Sequence, residues 1–156
     1  MIYALFNHTK QMTLLIIAGQ KIKKLPYVGN FFSCMIEYLI RIIFSSDISC
    51  SAIIPNDVKF IHGHDIVIGS NVKIGRRCKI FNGVTLGNKD TESGFNSHPV
   101  IGDDCVISTG AKILGSVQIG DRFIVAANAV VLKNVPPDSI AIGVPARTIS
   151  RNSKLR

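Results

Sequence analysis

The sequence predicts an all-β core, a parallel β-helix built from six-residue repeats, with a short helical segment in front of it. Three observations predict this. Apolar residues recur at every sixth position: Ile68, Ile74, Ile80 and Leu86 on one register, then Ile101, Ile107, Ile113, Ile119, Val125 and Val131 on a second. With 47% hydrophobic residues overall, ten such hits in a row by chance have odds below about one in a thousand. A small residue follows the aliphatic in most repeats: Gly69, Gly75, Gly87, Gly102 and Gly120, with Ser108 and Ala126, while Phe81, Leu114 and Leu132 break the column. Four residues after the aliphatic come Val72, Cys78, Val84, Cys105, Ala111, Val117, Ala129 and Val135, with Phe123 as the bulky exception.

A period of six suits neither a helix nor a plain strand. It suits a short strand and a sharp turn, repeated, with the aliphatic pointing inward and Gly permitting the corner. Three hexads close one triangular coil, so residues eighteen apart stack: Ile68 on Leu86, Ile101 on Ile119, Ile113 on Val131. Each coil buries its inner face only against its neighbours. Periodicity is silent on handedness, since parallel crossovers are as a rule right-handed.

Residues 1–45 lack the hexad period. Thr13–Ala18 is a short apolar run, followed by Lys21, Lys23 and Lys24, a Pro26–Gly29 turn, and a second apolar run from Phe31 to Phe44 that carries Glu37 and Arg41. The pattern predicts two short helices around a break at Leu25–Gly29. Neither run reaches the roughly 18–20 apolar residues of a spanning helix, and Gly19-Gln20-Lys21 makes a poor cleavage site for a signal peptide. Two readings of the segment stand: a helical cap or oligomer contact over the open end of the β-helix, or a basic apolar patch on a membrane surface.

Residues 46–149 form the predicted repeat domain. Its first coil is irregular, because Ile48, Ile54 and Phe60 keep the six-residue step out of phase with Ile68. Residues 88–99 interrupt the repeat, an extruded polar loop of the kind that carries function. After Val135, Pro136-Pro137 ends the strand register and Gly143-Val144-Pro145-Ala146-Arg147 makes a last turn. Residues 150–156 are a basic tail.

The formal charge is +8 and the isoelectric point about 9.6. That favours an anionic partner: nucleic acid, a membrane surface, or a phosphate-bearing cofactor. Nucleic acid is disfavoured by the absence of Trp, of recognition-helix spacing and of zinc-finger spacing. Cys34, Cys50, Cys78 and Cys105 are scattered without a CxxC pair, and Cys78 and Cys105 sit in the small-residue column. The thiols therefore read as core packing in a reducing, cytoplasmic compartment, the inner face of the membrane being the place for residues 1–45 on the second reading.

Four polar positions carry the chemistry. His62 stands six residues before Ile68, where the repeat predicts an aliphatic, and such violations concentrate at functional sites. The plain alternative is that the register slips and His62 is a surface turn residue. His64 shares its face. A metal would need His98 as third ligand, but no Cys or carboxylate lies at a ligand spacing, so no metal is expected. His98 sits in the extruded loop before Pro99, and Asp47 lies where the repeats begin, a place also natural for a turn residue.

These residues carry a resemblance. Phe60-Ile61-His62-Gly63-His64-Asp65-Ile66-Val67-Ile68-Gly69, Gly83-Val84-Thr85-Leu86-Gly87, Ser97-His98-Pro99-Val100-Ile101-Gly102, Gly110-Ala111-Lys112-Ile113-Leu114-Gly115 and Gly143-Val144-Pro145-Ala146-Arg147, in that order, resemble the serine acetyltransferase branch of the left-handed β-helix, hexapeptide-repeat acyltransferases. The resemblance implies a left-handed coil, a homotrimer with active sites between adjacent subunits, and acetyl-CoA as donor. It places the catalytic histidine on His62, its partner carboxylate on Asp47 and the second histidine on His98.

Two departures accompany it. The family has an Asp before the first histidine, where this chain has Ile61, and an Arg before the loop histidine, where it has Ser97. Those charges hold an amino acid. About 45 residues also replace the family's long N-terminal helical domain. The expectation is therefore an acetyl-CoA-dependent O-acetyltransferase acting on a sugar hydroxyl in bacterial surface polysaccharide biosynthesis, similar to the colanic-acid type, with serine O-acetyltransferase as the alternative.

On either reading a base must take the hydroxyl proton as it attacks the thioester, and neutral His suits that task near pH 7. His62 is that base and Asp47 fixes its tautomer. The absence of a nucleophile-elbow Ser, or of a Cys beside His62, fits direct transfer without a covalent acyl-enzyme. A backbone N–H near Gly83–Gly87 serves the oxyanion, and His98 orients the acceptor. Thr109 and Ala127 are candidates to line the pantetheine arm, Lys112 and Arg147 to meet the CoA phosphates.

Overall fold

The computed structural model describes residues 7–89 and 97–151. Most of the expected loop, the first six residues of the expected N-terminal segment and all but two residues of the expected tail lie outside that range.

The hexad pattern becomes short strands stacked on three faces. The first face carries β1 (Asp47–Ile48), β3 (Val67–Ile68), β6 (Thr85–Gly87), β9 (Lys112–Leu114) and β12 (Val130–Val131); the second β4 (Lys73–Ile74), β7 (Val100–Ile101) and β10 (Gln118–Ile119). The third carries β2 (Lys59–Phe60), β5 (Lys79–Ile80), β8 (Val106–Ile107), β11 (Ile124–Val125) and β13 (Ser139–Ile142). All pairings within these faces are parallel. β14 (Arg147–Ser150) folds back antiparallel on β13 and closes the C-terminal edge. The three faces wind as a left-handed β-helix.

The expected stacking is observed: Ile68 on Leu86, Ile101 on Ile119, Ile113 on Val131. Ile48, Ile68, Leu86, Ile113 and Val131 form one inward column, each at most 2% exposed. At ~25 cal/mol per Å² of apolar surface such columns dominate the stability. Two irregularities punctuate the winding. Ile48 pairs with Ile68 and Phe60 with Ile80, twenty residues on instead of eighteen, so the first coil holds two extra residues. Ile74 pairs with Ile101 and Leu86 with Ile113, twenty-seven residues on, so the polar loop is a nine-residue insertion within one coil.

The corners have distinct chemistries. Between the third and first faces, Asp65, Gly83, Gly110 and Asn128 all take positive φ, between 55° and 72°, a conformation open to Gly, Asn and Asp. Between the second and third faces the positive-φ residues are Arg77, Asp104, Arg122 and Asp138. There the guanidinium of Arg77 donates twice to Asp104 at 2.7 Å. Arg122 donates twice to Asp138 at 2.7 and 2.6 Å. On the same corner Gly75, Gly102 and Gly120 have ordinary φ but no room: a Cβ on Gly102 would meet the Asp121 carboxylate and the Asp121 nitrogen, the latter at 2.8 Å.

Helices α1 (His8–Ile22) and α2 (Gly29–Phe44) cover the N-terminal end, on either side of the expected break. Asn7 caps α1, its side chain accepting from the Lys10 nitrogen at 3.1 Å. Met12, Ile16, Ile40 and Phe44 join the β-helix core. Polar contacts complete the joint. The Gln20 amide donates to Ile54 O and accepts from Ile54 N, both at 3.1 Å. Glu37 Oε1 accepts from Cys50 N at 2.7 Å and from Ser49 Oγ at 3.2 Å.

Candidate active site

The two extra residues of the first coil decide where His62 goes. Phe60, not His62, stands on the aliphatic column, buried over Ile80. The expectation that His62 replaces a core aliphatic is corrected: the register slips, and His62 turns outward at the corner between the third and first faces. Its ring centroid lies 6.2 Å from Phe81, edge-on, and 6.3 Å from His64. The two histidines line a cleft of about 370 Å³ whose other wall is His8 and Thr9 of α1 with Ile43 and Phe44 of α2.

The same registers align a column of corner residues below His62. Asn82, Thr109 and Ala127 lie two residues after Ile80, Ile107 and Val125, as His62 does after Phe60. Successive coils are about 4.8 Å apart, so the column runs about 14 Å from the level of His62 to that of Ala127. Thr109 Oγ1 donates to Asn82 Oδ1 at 3.2 Å, and Asn128 N donates to Thr109 O at 2.9 Å. Asn82 was not singled out from the sequence. The signal that would have found it is its place two residues after Ile80, once the insertion lengths are known.

Asp47 opens the outward column of the first face, above Val67, Thr85, Lys112 and Val130. The first coil brings it to the corner that His62 occupies: Asp47 N donates to Ile66 O at 2.8 Å and Asp65 N to Ser45 O at 3.1 Å. Its carboxylate is 2.8 Å from Arg41 Nη2, an exposed pair. No hydrogen bond joins Asp47 to His62 among the described residues. Arg41 is the partner that sequence reasoning missed; on the helix wheel it reads only as a cation near a C-terminus.

His98 lies against Gly69, at the corner between the first and second faces. A Cβ on Gly69 would meet its Cδ2 and Nε2, both at 2.6 Å. Within one chain His98 and His62 thus occupy different corners. Lys112 Nζ donates to Gly83 O at 2.6 Å and to Thr85 Oγ1 at 3.0 Å, leaving one of its three N–H bonds. Arg147 lies on β14, exposed, where with Lys133 it lines a cleft of about 770 Å³ at the C-terminal end. Among the described residues no three His, Cys, Asp or Glu side chains are grouped to hold a metal ion.

Stacked hexads and the outward corner column define a hexapeptide-repeat β-helix, and residues 98–133 match the bacterial transferase hexapeptide (six repeats) family. The chain is 40% identical over 119 residues to the serine acetyltransferase of Buchnera aphidicola subsp. Schizaphis graminum, covering 76% of this chain and 46% of that protein. It is 37% identical over 122 residues to that of Helicobacter pylori, covering 78% of this chain and 71% of that protein. The chain belongs to the serine acetyltransferase family. It spans about half the length of most of the curated relatives it matches, 57% for that of Bacillus subtilis. Among solved structures it is similar to Neisseria gonorrhoeae serine acetyltransferase in complex with serine, with a TM-score of 0.83 and 27% identity over 94% of this chain and 58% of that one. A serine acetyltransferase in complex with CoA matches with a TM-score of 0.80 and 30% identity over 93% of this chain and 58% of that one.

These relationships overturn the polysaccharide expectation. Curated relatives at 37% to 40% identity are serine acetyltransferases, and neither the colanic-acid likeness nor the sugar acceptor survives. The error has a physical source. It rested on two missing charges, Ile61 and Ser97, and a missing charge does not create affinity for a sugar. It rested also on the apolar N-terminal segment, whose inner face the structure uses to cover the β-helix.

Proposed function

We propose that this chain is an acetyl-CoA-dependent serine O-acetyltransferase, working as a homotrimer whose sites lie between subunits. The observation that carries the reading is the corner column of His62, Asn82, Thr109 and Ala127, an outward track about 14 Å long with an imidazole at one end. Membership of the serine acetyltransferase family supports L-serine as the acceptor.

The reaction follows from the residues. The serine hydroxyl is too weak an acid to ionise near neutral pH, so the neutral His62 imidazole takes its proton as the oxygen attacks the acetyl carbonyl. A backbone N–H in Gly83–Gly87 stabilises the oxyanion. The intermediate collapses with loss of the CoA thiolate, which receives the proton from the imidazolium. Asp47 orients His62 after exchanging its contact with Arg41. His98, on another corner, serves the site of a neighbouring subunit and positions the acceptor. The pantetheine arm runs past Thr109 and Ala127, where small side chains leave backbone groups open. The remaining N–H of Lys112 and the guanidinium of Arg147 meet phosphates.

The test is thiol release from acetyl-CoA with L-serine as acceptor. His62→Ala is expected to lower kcat by about 10²–10⁴, the usual worth of a general base. A loss below about tenfold removes His62 from the role. No turnover of L-serine by the intact chain, with acetyl-CoA bound, refutes the acceptor.

A further inference from the structure

The outer face of α2 is unpartnered. Phe31, Phe32, Met35, Tyr38, Leu39 and Ile42 are each between 42% and 66% exposed. Their spacing of three, four and seven residues makes one stripe along the helix. The opposite stripe, Ser33, Ile40 and Phe44, is buried against the coils. The apolar surface continues around the interhelical turn, where Tyr27 is fully exposed and Leu25 and Val28 about half exposed. A patch of this extent on a folded surface marks a binding site.

The charges beside it select the occupant. Lys21, Lys23 and Lys24 adjoin the turn and Lys10 lies on α1, while Arg41 on α2 is paired with Asp47 and Glu37 is the one acid in residues 7–45. The Glu37 carboxylate is turned inward, tied to Cys50 N and Ser49 Oγ. A second copy seated face to face about a two-fold axis would bring one cationic cluster against another. A surface carrying anionic headgroups is complementary to both the apolar stripe and the cations.

We propose that α2 and the Lys21–Val28 turn form a membrane-docking face for bilayers rich in anionic lipid. α2 has 16 residues and no described helix is long and apolar enough to cross a membrane. The helix therefore lies in the interface plane, with the stripe in the acyl boundary, Tyr27 and Tyr38 at headgroup level and the lysines against phosphates. This reading is independent of the acetyl transfer.

The experiment is flotation of the full chain with vesicles of phosphatidylcholine containing about one third phosphatidylglycerol, against phosphatidylcholine alone. The chain is expected to float with the anionic vesicles only, and less as salt rises. Ile42→Glu, at a solvent-facing position, is expected to abolish flotation without changing the melting temperature. Lys21→Gln/Lys23→Gln/Lys24→Gln together should weaken it about a hundredfold, at ~1 kcal/mol per lysine. Absence of flotation with anionic vesicles overturns the proposal. So does flotation indifferent to both variants. A larger assembly that Ile42→Glu dissociates, with no vesicle binding, assigns the face to a second copy instead.

Discussion

Replacing Gly102 by Ala tests the packing of successive coils. Gly102 has no positive φ, so the backbone itself tolerates alanine. The obstacle is the next coil: the added Cβ would meet the Asp121 carboxylate, Asp121 N at 2.8 Å and the Gly120 carbonyl carbon at 2.9 Å. Two of these are backbone, and ordinary contact is near 3.5–4.0 Å, so the coils must part by up to about 1 Å. The bonds crossing that seam are Gly102 N to Ile119 O and Asp103 N to Asp121 Oδ1, both 2.8 Å, and Gly75 N to Ile101 O at 2.9 Å lies one coil away. At ~0.5–1.5 kcal/mol net for each of the two bonds, with overpacking strain of ~1–3 kcal/mol, the loss is about 2–6 kcal/mol. For a chain of this size that lowers Tm by roughly 4–24 °C. Gly87→Ala is the control. Its Cβ would find only Thr85 Cγ2, at 4.0 Å, and it should be neutral or more stable by about 0.4–1 kcal/mol, through the unfolded chain. Thermal unfolding followed by circular dichroism measures both. Equal Tm values for Gly102→Ala and the wild type, or equal losses for the two variants, would refute the steric reasoning.

Three further outcomes follow from the structure. Gly69→Ala should displace the His98 ring, which sits where the new Cβ goes; because the ring is a movable side chain, the expected result is a fall in turnover of tenfold or more with Tm shifted by only a few degrees, and an unchanged rate would disconnect His98 from the site. Thiol titration of the native chain with an aromatic disulfide near pH 8 should label Cys34 alone, since Cys50, Cys78 and Cys105 are buried and burial, with the nearby Glu37 charge, pushes the Cys50 thiol up to about 12; rapid labelling of two or more thiols would contradict this. Stability should be flat from neutral pH down to the ordinary Asp range near 3.9 and fall below it, because the guanidiniums of Arg77 and Arg122 hold Asp104 and Asp138 below their usual values. Carboxylates so lowered stabilise the fold above the unfolded pKa and lose that contribution as pH drops through the folded one; Asp104→Asn/Asp138→Asn should show a shallower acid transition, and an unchanged acid limb would count against the pairs.

The strands and their stacking were legible because inward side chains every sixth residue leave a period no helix shares. The phase of the first coil was not. Two residues inserted between Phe60 and Ile68 carry no apolar signal of their own, so the hexad count alone puts His62 on the aliphatic column. Lengths of irregular segments set three-dimensional neighbours without marking the sequence. The alignment of His62 with Thr109 and Ala127 therefore needed the paired registers, although all three residues had been singled out. The Asp47–Arg41 pair was invisible for a similar reason: it joins a strand to a helix whose orientation depends on packing. The acceptor was not legible because the absent charges at Ile61 and Ser97 say what a site does not hold, not what it does.

The alternating corner charges bear on how such a chain can lengthen. Arg77, Asp104, Arg122 and Asp138 succeed one another along one edge, each facing its opposite. Duplication or loss of a single coil would set two guanidiniums or two carboxylates in contact, whereas gain or loss of two keeps the alternation. The edge behaves as a parity check on copy number, and growth of this scaffold by internal duplication is expected to proceed in even steps.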